Sequence, residues 1–90
     1  MITLEKLSEI LDGDTNYQSD TDRKLLAITT LRSKIPFDVC HSIIQGADHD
    51  VVYLCDIDEA LPYISEDDAK IIANGGVFID TDSDSLSMYV

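Results

Sequence analysis

Residues 76–90, GVFIDTDSDSLSMYV, decide how the rest of the chain is read. Leu86, Met88 and Val90 alternate with Ser85, Ser87 and Tyr89, giving one apolar and one polar face at the period of a β-strand. An apolar run, Val77–Ile79, precedes them, and the segment TDSD between the two runs is rich in turn residues. The stretch therefore predicts a C-terminal β-hairpin over about 77–90. Asp80, Asp82 and Asp84 recur at every second position around its turn, with no basic residue among them. Such a row can bind a metal, supply catalytic carboxyls or present negative charge to a positive partner.

Working toward the N-terminus, SEDDAKIIANGG predicts a short helix over about 66–74. Ser65 is its N-cap, Glu66, Asp67 and Asp68 fill its first turn, and Gly75 and Gly76 end it. Its buried side is expected at Ala69, Ile72 and Ala73, with Ile71 partly covered. IDEALPYI reads as an irregular or short helical turn broken at Pro62. VVYLC, about 51–55, is β-branched and aromatic and reads as a buried strand.

Three short helices are expected before that strand. Leu4, Leu7, Ile10 and Leu11 mark the first, with Thr3 as N-cap and Gly13 as stop. Leu25, Ile28, Leu31 and Ile35 stripe the second, which starts near Ser19 or Thr21 and is widened by Leu26 and Ala27. Asp20 and Asp22 at its start and Arg32 and Lys34 at its end suit the helix dipole. Pro36 opens the third, where Val39, Cys40, Ile43, Ile44 and Ala47 recur at helical spacing and Gly46 is the end. The expected fold class is α+β, one small domain over residues 1–90.

Ninety residues can bury roughly 65% of the unfolded surface, enough for one modest core. Two cysteines make no disulfide framework. The opening segment carries Glu5 and no long apolar core, so no signal peptide is expected, and no apolar run approaches the ~20 residues of a membrane span. The expected compartment is the cytoplasm. Charge is distributed unevenly. Of eighteen acids and six bases, residues 1–34 hold six and five, a balance of −1, and residues 35–90 hold twelve and only Lys70, a balance of −11. That half repels nucleic acid and anionic membrane and attracts basic protein surfaces.

Each constellation has a chemical and a plain structural reading. Strand-then-Asp-x-Asp in VVYLCDIDEA resembles the first motif of haloacid-dehalogenase-like phosphatases, which implies Asp56 as nucleophile and Asp58 as proton carrier. Glu59 stands where that family has Thr or Val, and the cations that phosphoryl transfer requires are missing downstream of residue 34 except for Lys70. Asp80, Asp82 and Asp84 match positions 1, 3 and 5 of a calcium loop, but Ser85 replaces its glycine at position 6, and position 12 would fall beyond Val90. Cys40, His41, His49 and Cys55 have no usual zinc spacing, and both cysteines are expected in the core. The three N-terminal helices resemble a helix-turn-helix unit, which implies DNA contacts through Arg23, Lys24, Arg32 and Lys34. The third of those helices carries Asp38 and no base, which is the wrong sign for a recognition helix.

The acids themselves carry the leading expectation. Asp56, Asp58, Glu59, Glu66, Asp67, Asp68, Asp80, Asp82 and Asp84 fall at caps, turns and strand ends, where all can be exposed. They are expected to form a negative surface that docks on a basic, nucleic-acid-binding protein, without cofactor, bound metal or direct nucleic-acid contact. In general character this resembles the small acidic phage proteins that block CRISPR or restriction enzymes, which implies inhibition by nucleic-acid mimicry. The alternatives are a metal-dependent or cysteine-based enzyme using the Asp-x-Asp segments or Cys40 and His41, and a helix-turn-helix regulator.

Overall fold

The computed structural model describes residues 2–89. Four helices and a four-stranded antiparallel sheet make an α+β fold. The order is α1 (Leu4–Asp14), α2 (Thr21–Lys34), β1 (Gly46–Asp48), β2 (Val51–Asp56), α3 (Ile57–Ala60), a 3-10 turn (Leu61–Tyr63), α4 (Glu66–Asn74), β3 (Val77–Asp80) and β4 (Ser85–Tyr89). Strands lie in the order β1-β2-β4-β3, so the last strand sits between the second and the third. Val90, placed in the hairpin by its alternation, lies outside the described residues.

The helix ends follow the local chemistry. The Thr3 side chain accepts from the Lys6 N–H, and the Asp20 side chain accepts from the Arg23 N–H. Ser65 and Asp68 form a reciprocal capping box at α4, each side chain bonded to the other's backbone N–H. α4 buries Ala69, Ile72 and Ala73 as expected. The α2 stripe holds in part: Ala27, Leu31 and Ile35 are buried and Ile28 is half-buried, but Thr30 joins them inside while Leu25 and Leu26 are exposed. The reason lies at the end of α4. A Cβ on Gly75 would come within 2.6 Å of the Ala27 Cβ and 2.7 Å of the Arg23 carbonyl oxygen, so α2 and α4 meet backbone to backbone on the small side of α2. Gly76 follows with φ +92°, the left-handed region that glycine enters without strain, and turns the chain into β3.

One expected element is absent. The third N-terminal helix does not form; Pro36 starts a single turn, closed by Val39 and Cys40 N–H groups on the Pro36 carbonyl, and the chain then runs irregularly, with bends at His41 and Ile43, into β1. Arg32 explains the difference. Its guanidinium donates to the carbonyls of Ile35 (2.8 Å), Cys40 (2.9 Å) and His41 (3.1 Å) and lies 3.8 Å from the Phe37 ring centroid. Three carbonyls are satisfied without a helix, and Cys40 and Ile43 still reach the core. Gly46, expected to end that helix, instead begins β1, which turns back through His49 and Asp50 to pair with β2.

The sheet has an inner and an outer face. Val77, Leu86 and Met88 point inward with Leu54 and Cys55 to a core shared with Leu7, Leu11, Leu31 and Ile72. Leu54 and Cys55 both lie opposite Leu86, because the register shifts between Tyr53 and Asp56; this bulge buries two successive residues. The outer face carries Phe78, Ser87 and Tyr53 in one cross-strand row and Asp80, Ser85 and Asp56 in the next.

Candidate functional site

The acids gather where the sheet ends. Asp80 and Asp56 flank Ser85 on the two neighbouring strands. Adjacent strands lie about 4.8 Å apart, which places these two carboxylates on one face roughly 10 Å from each other. The TDSD turn leaves from the same end. The Asp82 N–H donates to Asp80 Oδ1 (3.0 Å), which folds the turn tightly, and Asp84 takes a left-handed φ of 53°. The Ile57 N–H donates to the Asp84 carbonyl (3.1 Å), tying the start of α3 to the turn. Asp58 and Glu59 follow in the first turn of α3. Six of the nine predicted acids, Asp56, Asp58, Glu59, Asp80, Asp82 and Asp84, are thus brought to one end of the sheet by two hydrogen-bonded segments.

The other three are placed differently. Glu66 and Asp67 are exposed at the start of α4, where Glu66 borders a shallow depression with Ile2, Thr3, Lys6 and Ser65. Asp68 is 7% exposed, accepts from the Ser65 N–H at 3.0 Å and lies 4.0 Å from Lys34 Nζ. Its charge serves the helix cap and is not displayed.

The four bases of α2 have partners within the chain. Arg32 holds the 35–41 loop, Lys34 faces Asp68, Arg23 lies 3.7 Å from Asp20, and Lys24 Nζ donates to the Ser19 carbonyl. With the third helix replaced by a loop, the likeness to a helix-turn-helix unit loses both its third element and its free basic face.

The remaining constellations stay apart. Cys40 is buried; its Sγ accepts from Gln45 Nε2 at 3.3 Å and faces the Ser42 carbonyl at 3.2 Å, while the neighbouring His41 points to solvent and edges the Phe37 ring. Burial pushes the Cys55 thiol up to about 12 from an ordinary 9.0, helped by the nearby Cys40, so it is a neutral core group at physiological pH. His49 is exposed in the β1–β2 turn, 3.6 Å from the Asp48 carboxylate. Among the described residues, no three His, Cys, Asp or Glu side chains come together as a metal site.

One part of the surface was missed by sequence reasoning. The face of β4 that reads as polar is not solvated: Ser87 is fully buried and Ser85 is 4% exposed. Rings cover them. Phe78 and Tyr89 stack with centroids 4.9 Å apart at 25°, and Tyr17 lies 5.9 Å from each. Tyr17 comes from the α1–α2 loop, which wraps the β3 edge: the Thr15 hydroxyl donates to the Val77 carbonyl (3.0 Å), and the Asn16 N–H donates to the Ala73 carbonyl (2.9 Å). The serine hydroxyls satisfy one another, Ser83 in the exposed turn to Ser85 at 2.7 Å and Ser85 to Ser87 at 3.4 Å. The available signal was the lone large ring, Tyr17, in an otherwise polar loop.

No helix among the described residues is long and apolar enough to cross a membrane. The chain matches no described protein family, no curated protein and no solved structure.

Proposed function

We propose that the protein is a non-enzymatic binding module that sets the acidic end of its sheet against the basic surface of a nucleic-acid-binding protein, and that it inhibits this partner by occupying ground meant for phosphates. One observation carries the reading: Asp56, Asp58, Glu59, Asp80, Asp82 and Asp84 converge on one end of the sheet through the Ser85 register and the Ile57–Asp84 hydrogen bond. Carboxylates held at fixed spacing on a rigid element present an ordered negative field, and order distinguishes a mimic from a merely soluble acidic surface. The opposing surface must be rich in Lys and Arg, because only Lys70 offsets twelve acids over residues 35–90. Isolated nucleic acid is repelled by the same field.

The test compares two immobilised proteins in a host lysate: the wild type, and a variant with Asp56, Asp58, Asp80, Asp82 and Asp84 replaced by Asn. Circular dichroism first establishes that both are folded. The expected result is capture of a nucleic-acid-binding protein by the wild type, its release by raised salt or by competing duplex DNA, and its loss from the variant. Capture that is equal on both proteins and indifferent to salt and DNA overturns the proposal.

A further inference from the structure

The rings on the outer sheet face are not needed to close the core, which lies on the opposite face among residues such as Leu54, Leu86 and Met88. Among the described residues Tyr17 is 55% exposed and Tyr89 44% exposed. Together with half-buried Phe78 they make an exposed aromatic cluster beside Ser87, in which Phe78 and Tyr89 stack and Tyr17 is inclined to them at 46° and 55°. Register places acids around it on the same face. Asp80 lies two residues beyond Phe78, Asp56 lies across the sheet beside Ser85, and Asp48 ends the row Tyr89–Val51–Asp48.

An open ring platform on an antiparallel sheet can take three kinds of occupant. Unpaired bases stack on such platforms, but their phosphates require flanking cations, and the flanking groups here are carboxylates. A second copy would bring together two chains of net charge −12 each. The third occupant is a cationic side chain with a flat face. A guanidinium stacks on aromatic rings, and its in-plane N–H groups reach carboxylates at the ring margin; an ammonium cannot do both. Charge complementarity and the exposure of the Tyr17 and Tyr89 rings favour the same choice.

We propose that the Tyr17–Phe78–Tyr89 cluster, bordered by Asp80, is a docking surface for an arginine-bearing segment of a protein partner, with the guanidinium lying against an exposed ring and hydrogen-bonded to the Asp80 carboxylate. This rests on the reading of the acidic sheet end as the partner-binding surface, and it narrows the chemistry from basic to arginine-rich. It also adds a desolvated, directional contact to a long-range electrostatic one. The acids at the sheet end draw in any cationic segment, and the rings discriminate among them.

Two synthetic peptides of equal length test it, one with four arginines spaced by glycine and serine, the other with lysine at the same positions. Binding is followed by tyrosine fluorescence and by ring-proton NMR at 150 mM salt. The arginine peptide should bind ~tenfold more tightly than the lysine peptide, and its addition should shift the ring signals of Tyr17, Phe78 and Tyr89 in the wild-type protein. Replacing Tyr17 and Tyr89 together with Leu should remove the arginine preference and leave lysine-peptide affinity unchanged. Wild-type ring shifts need no variant, so a misfolded double mutant does not spare the proposal. Equal affinity for the two peptides, or ring signals that stay still while the Asp56 and Asp80 region shifts, overturns the ring platform and leaves the acidic docking reading standing. Failure of both peptides to bind overturns the platform and removes support from the broader reading as well.

Discussion

Cys55 shows how burial alone sets the chemistry of a side chain. It sits fully buried in the β2 bulge, and desolvation, followed by the nearby Cys40, raises its thiol to about 12. The unfolded chain ionises this thiol near 9.0, so the fold is favoured below that pH and loses the contribution as pH climbs from about 9 toward 12. Full ionisation corresponds to a loss on the order of 4 kcal/mol. Tyrosines and lysines also titrate in this window, so the comparison is with Cys55→Ala. The stability advantage of the wild type over Cys55→Ala, measured by urea unfolding, should shrink between pH 8.5 and pH 11. A constant difference contradicts a buried neutral thiol. In the folded protein Cys55 should also resist alkylation by iodoacetamide at pH 8, and it should react once urea opens the sheet. Its place in the core was legible, since an apolar cysteine in VVYLC has few other destinations. The bulge that buries it beside Leu54 was not, because no glycine or polar residue marks the irregularity.

At the scale of elements, the sequence was clear wherever local and tertiary signals agreed. α1, α4 and the C-terminal hairpin each have a periodic apolar pattern flanked by caps or turn residues, although α1 runs one residue past Gly13, and β2 is a β-branched and aromatic run. The segment 36–47 carries a helical pattern as well, yet it folds as a loop and an edge strand. Its pattern arose from residues that reach the core without a helix, Cys40 and Ile43, and from Ile44, which is exposed. β1 could not be read because Gly46, Ala47 and Asp48 are all exposed and show no alternation, and His49 and Asp50 are not the usual residues of a tight hairpin. The decisive group is Arg32, eight residues before Cys40 in sequence, whose guanidinium bonds three loop carbonyls. Arg32→Lys keeps the charge but cannot place donors on Ile35, Cys40 and His41 together or lie flat on Phe37. It should destabilise the protein by roughly 1–3 kcal/mol, with hydrogen exchange accelerating first at Cys40 and through the β1–β2 pairing. Slowed exchange there, or an unchanged melting temperature, would show that the loop is held by its apolar contacts alone.

For the whole molecule the governing quantity is charge on a small body. A net charge of −12 is carried on a particle of 28 × 26 × 26 Å. The Debye length at physiological salt is about 8 Å, so acids within one cluster feel one another while those on opposite sides are largely screened. Part of this was legible in advance: the asymmetry between the two halves is a matter of counting. The gathering of Asp56 and Asp80 was not, because it depends on both pairing with Ser85 across different strands. The display of these acids can be separated from their role in folding. Asp80, Asp82 and Asp84 are suited to joint replacement by Asn, since Asn keeps the Oδ1 acceptor that Asp80 offers the Asp82 N–H and enters the left-handed region of Asp84 readily. The triple variant should melt within about 4 °C of the wild type, or slightly above it, because surface changes are small and repulsion is relieved. Raising salt from 20 to 300 mM should stabilise the wild type more than the variant, as screening replaces what the substitution removes. Association with a basic partner should slow in the variant and depend less steeply on salt, since long-range attraction scales with the charge that is lost. Replacing Leu86 and Met88 with Ser on the opposite face should instead unfold the sheet, at roughly 2 kcal/mol or more per side chain. If the Asn variant melted as low as the core variant, the turn carboxylates would be supporting the fold, and the acidic end could not be a surface held in reserve for a partner.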